Sequence, residues 1–198
     1  MERFIILHHE GGIKADSNFD TSQHKFEDIE RYHKEVVGND IQWIGDMSLA
    51  TAYNYIVDKI GKLTQARTDW SKSWHTYHRN YDVGICFTGN FSRFGENSRP
   101  SQSQEEICGK LLAELCEKYN VPTSRIVPHR FFRNTDCFGR NLSDDYGRKL
   151  AEKYIIKKEL IKKQISLLEK LIQLYTLLLI QLRQSKLGKM FGGRILEP

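Results

Sequence analysis

The amino-acid composition of the chain changes near Tyr154, and this change limits the folds that the two parts can adopt. Before it, short β-favouring runs alternate with helical patterns and with turns that contain glycine. After it, isoleucine, leucine, lysine and glutamine dominate, and no glycine occurs until Gly188. A periodic apolar segment without turn residues favours one long helix. The sequence therefore predicts a domain over residues 1–154, a helix over residues 155–186 and a tail over residues 187–198.

The first part has the alternating pattern of an α/β domain. Strands are predicted at residues 4–9, 53–57, 62–66, 83–88 and 126–127, and helices at residues 22–37 and 104–119. The strands at 53–57 and 62–66 flank a short turn that contains Gly61, which indicates a β-hairpin. We therefore expect a mixed central β-sheet flanked by helices, followed by the long amphipathic C-terminal helix.

The charge balance narrows the choice of partners only slightly. The net charge is +5 and the pI is about 8.9, which favours anionic partners such as nucleic acid, a membrane surface or a cell wall. No helix-turn-helix or zinc-finger pattern occurs, so we expect no nucleic-acid partner. The N-terminal apolar run covers only residues 4–7, too few for the core of a signal peptide. We expect synthesis in the cytoplasm without a signal peptide.

A pattern with metal chemistry joins the first strand to a distant loop. His8 ends the predicted strand, and His129 and Cys137 follow far downstream. Zinc prefers nitrogen and sulfur ligands, and a catalytic zinc site uses three of them and leaves one position open for water. The residues alone leave another interpretation open, in which His8 is a core histidine and Cys137 a buried thiol. The common zinc signatures H-E-x-x-H and C-x-x-C are absent.

The residues around this pattern carry a family resemblance. Matching segments occur in chain order at residues 5–9, 31–34, 52–57, 59–63, 74–75, 83–91, 127–130 and 135–139. Together they resemble the type 2 N-acetylmuramoyl-L-alanine amidases, a family that includes bacteriophage endolysins and peptidoglycan recognition proteins. The resemblance covers roughly residues 3–150. Several segments in the right order are much more specific than any one of them.

The resemblance implies a zinc amidase domain over residues 1–154 in which His8, His129 and Cys137 bind Zn²⁺. His8 is preferred over His9 because the family's ligand is the first residue after the apolar strand, and adjacent strand residues point to opposite faces. The implied reaction is hydrolysis of the amide between N-acetylmuramic acid and L-alanine in peptidoglycan. The protein would then act on the cell wall after release or export by another route.

The same resemblance suggests further site residues. Tyr53 matches the family's strand tyrosine and is a candidate catalytic residue that orients water or donates to an oxyanion. Tyr55 lies two residues on, so we expect it on the same face, where it is the rival for this role. Thr135, where the family carries Lys or Thr, is a second catalytic candidate. His75 and His9 are expected to line the cleft and bind substrate.

Two positions depart from the family pattern. Glu10 stands where the family usually has Ser or Thr, and Phe138 stands where it usually has Pro. Neither departure removes a ligand, but each could change loop shape or substrate contacts. Three alternatives to wall hydrolysis stay open: a peptidoglycan-binding module without hydrolysis, a recycling amidase acting on soluble muropeptides, and a cysteine hydrolase that uses Cys137 with His129. Recognition proteins that lack the cysteine generally bind without cutting.

The helix after residue 154 carries a heptad pattern. Apolar side chains follow 4-3-4-3 spacing at Ile161, Ile165, Leu168, Ile172, Tyr175, Leu179 and Leu182. A second apolar stripe lies beside the first, so one helix cannot bury both in water. It must pack on its own domain, on copies of itself or on an anionic membrane surface that its lysines would suit. The regular spacing favours a homo-oligomer through this helix, with the membrane surface as an alternative.

Overall fold

The computed structural model describes residues 2–11, 19–38, 42–44, 47–76, 79 and 81–191. The strands are β1 (Ile5–His9), β2 (Gln42–Ile44), β3 (Met47–Leu49), β4 (Tyr55–Val57), β5 (Leu63–Gln65), β6 (Val83–Phe87) and β7 (Ile126–Pro128). The helices are α1 (Phe26–Tyr32), which a π-helical turn (His33–Val37) continues, α2 (Gln102–Tyr119) and α3 (Tyr146–Phe191). Two 3₁₀ turns occupy Thr123–Arg125 and His129–Phe131.

Five strands form a mixed sheet in the order β5-β4-β6-β1-β7. β4, β6, β1 and β7 run parallel, and β5 pairs antiparallel with β4. The predicted mixed sheet, its hairpin and its flanking helices are therefore confirmed. β2 and β3 form a separate two-stranded antiparallel sheet that the sequence analysis did not predict.

The sheet buries different side chains on its two sides. On one side, Leu7 of β1 and Ile85 of β6 join the larger core with Leu112 of α2. On the other side, Cys86 of β6 packs with Ile29 of α1. His8 pairs in register with Cys86, and alternation turns its side chain to this second side. Because both faces of the sheet are buried at β1, its sequence begins with a continuous apolar run and not with an alternation of apolar and polar residues.

A capping box fixes the start of α2. Ser101 Oγ accepts a hydrogen bond from the Gln104 backbone N–H (3.1 Å), and Gln104 Oε1 accepts one from the Ser101 N–H (3.0 Å). The Gln104 amide nitrogen also donates to the carbonyls of Val57 and Thr88, at the ends of β4 and β6. The cap therefore ties the helix to the same sheet edge at which β1 ends.

The first helix is shorter than the predicted span of residues 22–37. The Asp20 carboxylate accepts from the Ser22 backbone N–H, and helical hydrogen bonding starts only after Lys25, whose N–H donates to Asp28. The π-helical turn that follows ends at Gly38, where φ is +68°. This left-handed conformation suits glycine, and the helix ends where the predicted span ends, at residue 37.

The chain divides into two compact units between Tyr154 and Ile155. α3 begins in the first unit, and it continues to Phe191, past the predicted helix end at residue 186. In the second unit its heptad side chains are exposed; Ile165, for example, is 52% exposed. No continuous apolar run reaches 20 residues, yet the span Tyr146–Ser185 is long and apolar enough to cross a membrane by length and composition alone.

Candidate metal centre

Adjacent parallel strands bring two of the predicted ligands together, and the loop that follows β7 adds the third. His8 lies near the end of β1, and His129 follows directly after β7, which pairs with β1. The rings of the two histidines are 4.5 Å apart between centroids. Cys137 places its Sγ 3.7 Å from His8 Nδ1. One ligand atom from each of the three residues lies within 4.8 Å of the others.

The loop that carries His129 and Cys137 is closed by backbone contacts. The Arg130 backbone N–H donates to the Cys137 carbonyl at 2.7 Å, so the two ends of the loop meet beside the site. The Arg130 guanidinium donates to the carbonyls of Gly139 (2.8 Å) and Leu142 (2.6 Å). These bonds satisfy carbonyls that would otherwise lack partners in an irregular segment.

Phe138 anchors the same loop in the core. Its side chain is 1% exposed, and its ring centroid lies 5.1 Å from Phe87 and 5.8 Å from Phe91. The departure from the family's proline therefore adds a large apolar side chain next to the candidate ligand Cys137. Phe138 therefore packs in the core, while the preceding residue, Cys137, is a candidate metal ligand.

Burial sets the protonation of the cluster. It lowers the pKa of His8 well below its usual value, with a further contribution from His75, and it lowers the pKa of His129 to about 4. Both imidazoles are therefore neutral at pH 7, the form that coordinates metals. Burial also raises the pKa of the Cys137 thiol to about 12. A bound cation would reverse this last effect, because a coordinating thiol is deprotonated.

The donor set fits a zinc ion. His129 Nε2 is buried and has no hydrogen-bond partner within the part of the chain that the structure describes. Such a nitrogen is costly to leave unpaired unless it binds a ligand. Two neutral imidazoles and one sulfur are also the donors zinc prefers, and three of them leave a fourth tetrahedral position for water or substrate.

Tyr53 lies beside this cluster, whereas Tyr55 does not. The Tyr53 ring is 5.1 Å from the His8 ring between centroids, and Tyr53 packs with Cys86. Tyr55 lies in the core on the other side of the sheet, where its hydroxyl donates to Asp69. The expectation that the two tyrosines share a face is wrong, because β4 begins at Tyr55 and regular alternation does not reach Tyr53.

The remaining predicted site residues have well-defined partners. Thr135 Oγ1 accepts from the Cys137 backbone N–H at 3.3 Å. His9 is 7% exposed, and its Nδ1 accepts from the Phe91 N–H at 2.9 Å. His75 is 5% exposed, and its Nδ1 lies 3.0 Å from His8 Nε2. The structure therefore places His75 and Thr135 against the ligands, and His9 against Phe91.

A cavity of about 380 Å³ lies next to Tyr53. Residues of α1 line it together with Glu10, His24 and His33. The Glu10 carboxyl pairs with His24, and burial raises the Glu10 pKa to about 7. The pairing of Glu10 with His24 was not predictable from the sequence, because their separation in the chain matches no known motif.

Comparison with known proteins identifies the family. The model of the N-acetylmuramoyl-L-alanine amidase family matches residues 2–140, a segment that contains His8, His129 and Cys137. The comparison with curated protein sequences finds no significant match.

Solved structures share the fold at low sequence identity. The amidase LysC from Clostridium intestinale is 21% identical, with a TM-score of 0.55 and coverage of 77% of this chain and 85% of that one. The Ph2119 endolysin from a Thermus scotoductus bacteriophage is 19% identical, with a TM-score of 0.55 and coverages of 76% and 84%. Drosophila peptidoglycan recognition protein SD is 19% identical, with a TM-score of 0.53 and coverages of 71% and 76%. The chain belongs to the N-acetylmuramoyl-L-alanine amidase family.

Proposed function

We propose that the chain is a zinc-dependent amidase that hydrolyses the bond between N-acetylmuramic acid and L-alanine in peptidoglycan. The observation that carries this proposal is the convergence of His8, His129 and Cys137, whose ligand atoms lie within 4.8 Å of one another. The family match supports an amidase, and the bond we propose is the one that the family's description names. Peptidoglycan is therefore the substrate we assign.

The chain's own residues supply binding and proton donation. A bound zinc ion would polarise the scissile carbonyl and lower the pKa of a bound water. Tyr53 keeps its proton, because burial and the neighbouring Cys86 and Cys137 thiols raise its pKa well above the usual value. A protonated phenol donates a hydrogen bond, so Tyr53 is suited to the oxygen that gains negative charge when the amide is attacked. Thr135 holds the backbone of Cys137 and has a hydroxyl proton to donate.

We assign the cavity beside Tyr53 to part of the substrate. Its volume of about 380 Å³ lies within the range of ligand sites, which are mostly pre-formed concave pockets. Glu10, Asp28 and Arg31 give its lining both acidic and basic groups. Such a lining suits a substrate that carries both carboxylates and amines, as peptide stems do.

One alternative to wall hydrolysis rests on a specific observation. The likeness to a peptidoglycan recognition protein favours a binding module that holds the wall without hydrolysis. A recycling amidase acting on soluble muropeptides would use the same residues. A cysteine hydrolase is disfavoured, because catalytic thiols need a lowered pKa and that of Cys137 is raised to about 12.

Ligand variants test the proposal. His129→Ala and Cys137→Ser should each lose zinc and release no stem peptide from purified walls, because either change removes a donor and disturbs the geometry of the rest. Cys116→Ser is the matched control, since that thiol lies in the core formed with α2. A Cys137→Ser protein that hydrolyses walls as fast as the parent would contradict the proposal.

We further propose that residues 156–185 hold a homo-oligomer. The heptad side chains of α3 are exposed in the single chain; Leu168 and Ile172 are each 58% exposed. Isoleucine and leucine at heptad spacing favour helix association in water. A membrane surface is the alternative occupant, which the length and composition of α3 also suit.

A further inference from the structure

The His75 side chain connects the start of β6 to the candidate ligand His8. His75 Nε2 lies 2.9 Å from the backbone carbonyl oxygen of Asp82, and His75 Nδ1 lies 3.0 Å from His8 Nε2. The Asp82 carbonyl is fixed by the sheet, since the next residue, Val83, donates its N–H to Phe4 at 3.2 Å. His75 Nε2 therefore faces one fixed acceptor, whereas His75 Nδ1 faces His8 Nε2 and also the Thr76 hydroxyl oxygen, which lies 3.0 Å away.

These contacts determine which nitrogens carry protons. A carbonyl oxygen can only accept, so the proton of His75 lies on Nε2. A neutral imidazole carries one proton, which leaves His75 Nδ1 as an acceptor. His8 Nε2 must then carry a proton and donate to it, because two unprotonated ring nitrogens 3.0 Å apart would repel each other, and His8 Nδ1 carries the free lone pair. That nitrogen is the one 3.7 Å from Cys137 Sγ.

The position of the His75 ring is also fixed by packing. A Cβ added at Gly84 would lie 2.7 Å from the Cγ and Cδ2 atoms of His75, closer than side chains pack. Asn54 holds this strand position, because its Oδ1 accepts from the Gly84 N–H at 2.8 Å and its own N–H donates to the Gly84 carbonyl. The glycine leaves room for the ring directly against β6.

We propose that His75 is a positioning residue that holds His8 in the tautomer whose Nδ1 faces Cys137 and binds the metal. The inference rests on the zinc site of the proposed function, and it replaces the substrate-binding role expected for His75 from sequence. Hydrogen-bonded partners of this kind fix the ring orientation and tautomer of metal-binding histidines. Their loss typically costs about 10–100-fold in metal affinity.

The tautomer of the metal-free protein is the first measurement. Long-range ¹H–¹⁵N correlation spectra of histidine-labelled protein should give His8 a protonated Nε2 and an unprotonated Nδ1, with the same state for His75. Addition of zinc should shift the Nδ1 resonance of His8 and leave its Nε2 protonated. A proton on His8 Nδ1 in the metal-free protein would overturn the inference.

Two variants of His75 separate hydrogen bonding from packing. His75→Phe fills the space without an acceptor, and we expect zinc affinity, measured by competition with a chromophoric chelator, to fall about 10–100-fold. His75→Asn places its Oδ1 near the position of the lost Nδ1, so it should retain most of the affinity. If folded His75→Phe bound zinc as tightly as the parent protein, the positioning role of His75 would be contradicted. An equal loss of zinc affinity in folded His75→Phe and folded His75→Asn would contradict it as well. If His75→Phe fails to fold, the spectra of the parent decide.

The measurements that test the role of His75 differ from those that test the proposed function. Zinc affinity and tautomer are measured without any cell wall. A protein that passes both measurements but releases no peptide from peptidoglycan would contradict the amidase proposal and leave the role of His75 intact. Zinc-dependent hydrolysis by a protein with its proton on His8 Nδ1 would contradict the role of His75 and leave the amidase proposal intact.

Discussion

Burial at the candidate metal centre has opposite effects on the pKa values of its two kinds of donor. It lowers the pKa of His129 to about 4, so that histidine needs no deprotonation before it binds a metal. It raises the pKa of the Cys137 thiol to about 12, so the thiol keeps its proton in the metal-free protein. Zinc binding at this site would therefore displace one proton, the one that the Cys137 sulfur carries.

This difference predicts a pH dependence of zinc binding. Between about pH 6 and pH 8 the apparent zinc affinity should rise about tenfold per pH unit, because one proton leaves for each ion bound. The direction of this pH dependence follows from Cys137, because a thiol with a raised pKa holds its proton more firmly as pH falls and zinc affinity falls with it. Calorimetric titrations in buffers of different ionisation enthalpy should count about one proton released per zinc. A count near zero would show that no thiol is deprotonated on binding.

Tyr53 is the residue whose hydroxyl we expect to act in turnover. Tyr53→Phe should lower kcat by about 10²–10³ and change KM little, since loss of one oxyanion donor costs about that much in rate. Steady-state kinetics on soluble muropeptides measure both constants.

Tyr55→Phe is the matched control for this prediction. Its hydroxyl donates to Asp69 on the opposite side of the sheet, so the substitution should leave kcat near the parent value. A Tyr53→Phe enzyme with parent turnover would remove Tyr53 from the mechanism. If only Tyr55→Phe lost turnover, the assignment of Tyr53 and Tyr55 to opposite sides of the sheet would be contradicted.

At the scale of elements, the sequence predicted those whose signals are local. The strand ending in His9, the hairpin around Gly61 and the capped helix α2 each carry residues whose own chemistry marks an element. β2 and β3 were missed; they have three residues each, as the predicted strands β4 and β5 do, so length alone does not separate the missed strands from the predicted ones.

The site was predictable only through its motif. Nothing in the residues alone joins His8 to Cys137, because the sheet and the loop bring them together across most of the domain. The side occupied by Tyr53 was not predictable, since it depends on where β4 begins. The contact of His75 with His8 arises from the packing of the ring on Gly84, which leaves no signal in the sequence.

The loop between β7 and α3 should depend on Phe138 for its stability. Phe138→Ala removes a side chain that is 1% exposed, and such truncations cost about 3–5 kcal/mol. We expect this loss in denaturant unfolding of the metal-free protein, together with weaker zinc binding through displacement of Cys137. Phe94→Ala is the control, because that ring is 84% exposed and should change stability by less than about 0.5 kcal/mol. A small loss in Phe138→Ala would show that the loop is held by its hydrogen bonds alone.

At the scale of the whole molecule, the chain contains the amidase-family unit and a helix with its own apolar surface. Truncation after Lys153 should give a monomer that still hydrolyses soluble muropeptides, because His8, His129 and Cys137 all precede the cut. The chain of 198 residues should be an oligomer that clusters several sites on one wall. Light scattering at micromolar concentration without detergent measures both states. A monomeric 198-residue chain would contradict self-association, and its co-sedimentation with lipid vesicles would favour the membrane surface.

Product analysis with and without metal tests the central claim most directly. Purified protein should contain about one zinc per chain, the number that three protein ligands and one open position define. With zinc it should release from peptidoglycan stem peptides that begin with a free L-alanine amine and leave intact N-acetylmuramic acid on the glycan. Chelation should stop this release, and added zinc should restore it. Full release by metal-free protein, or binding to the wall without any release in the zinc-loaded protein, would contradict the account.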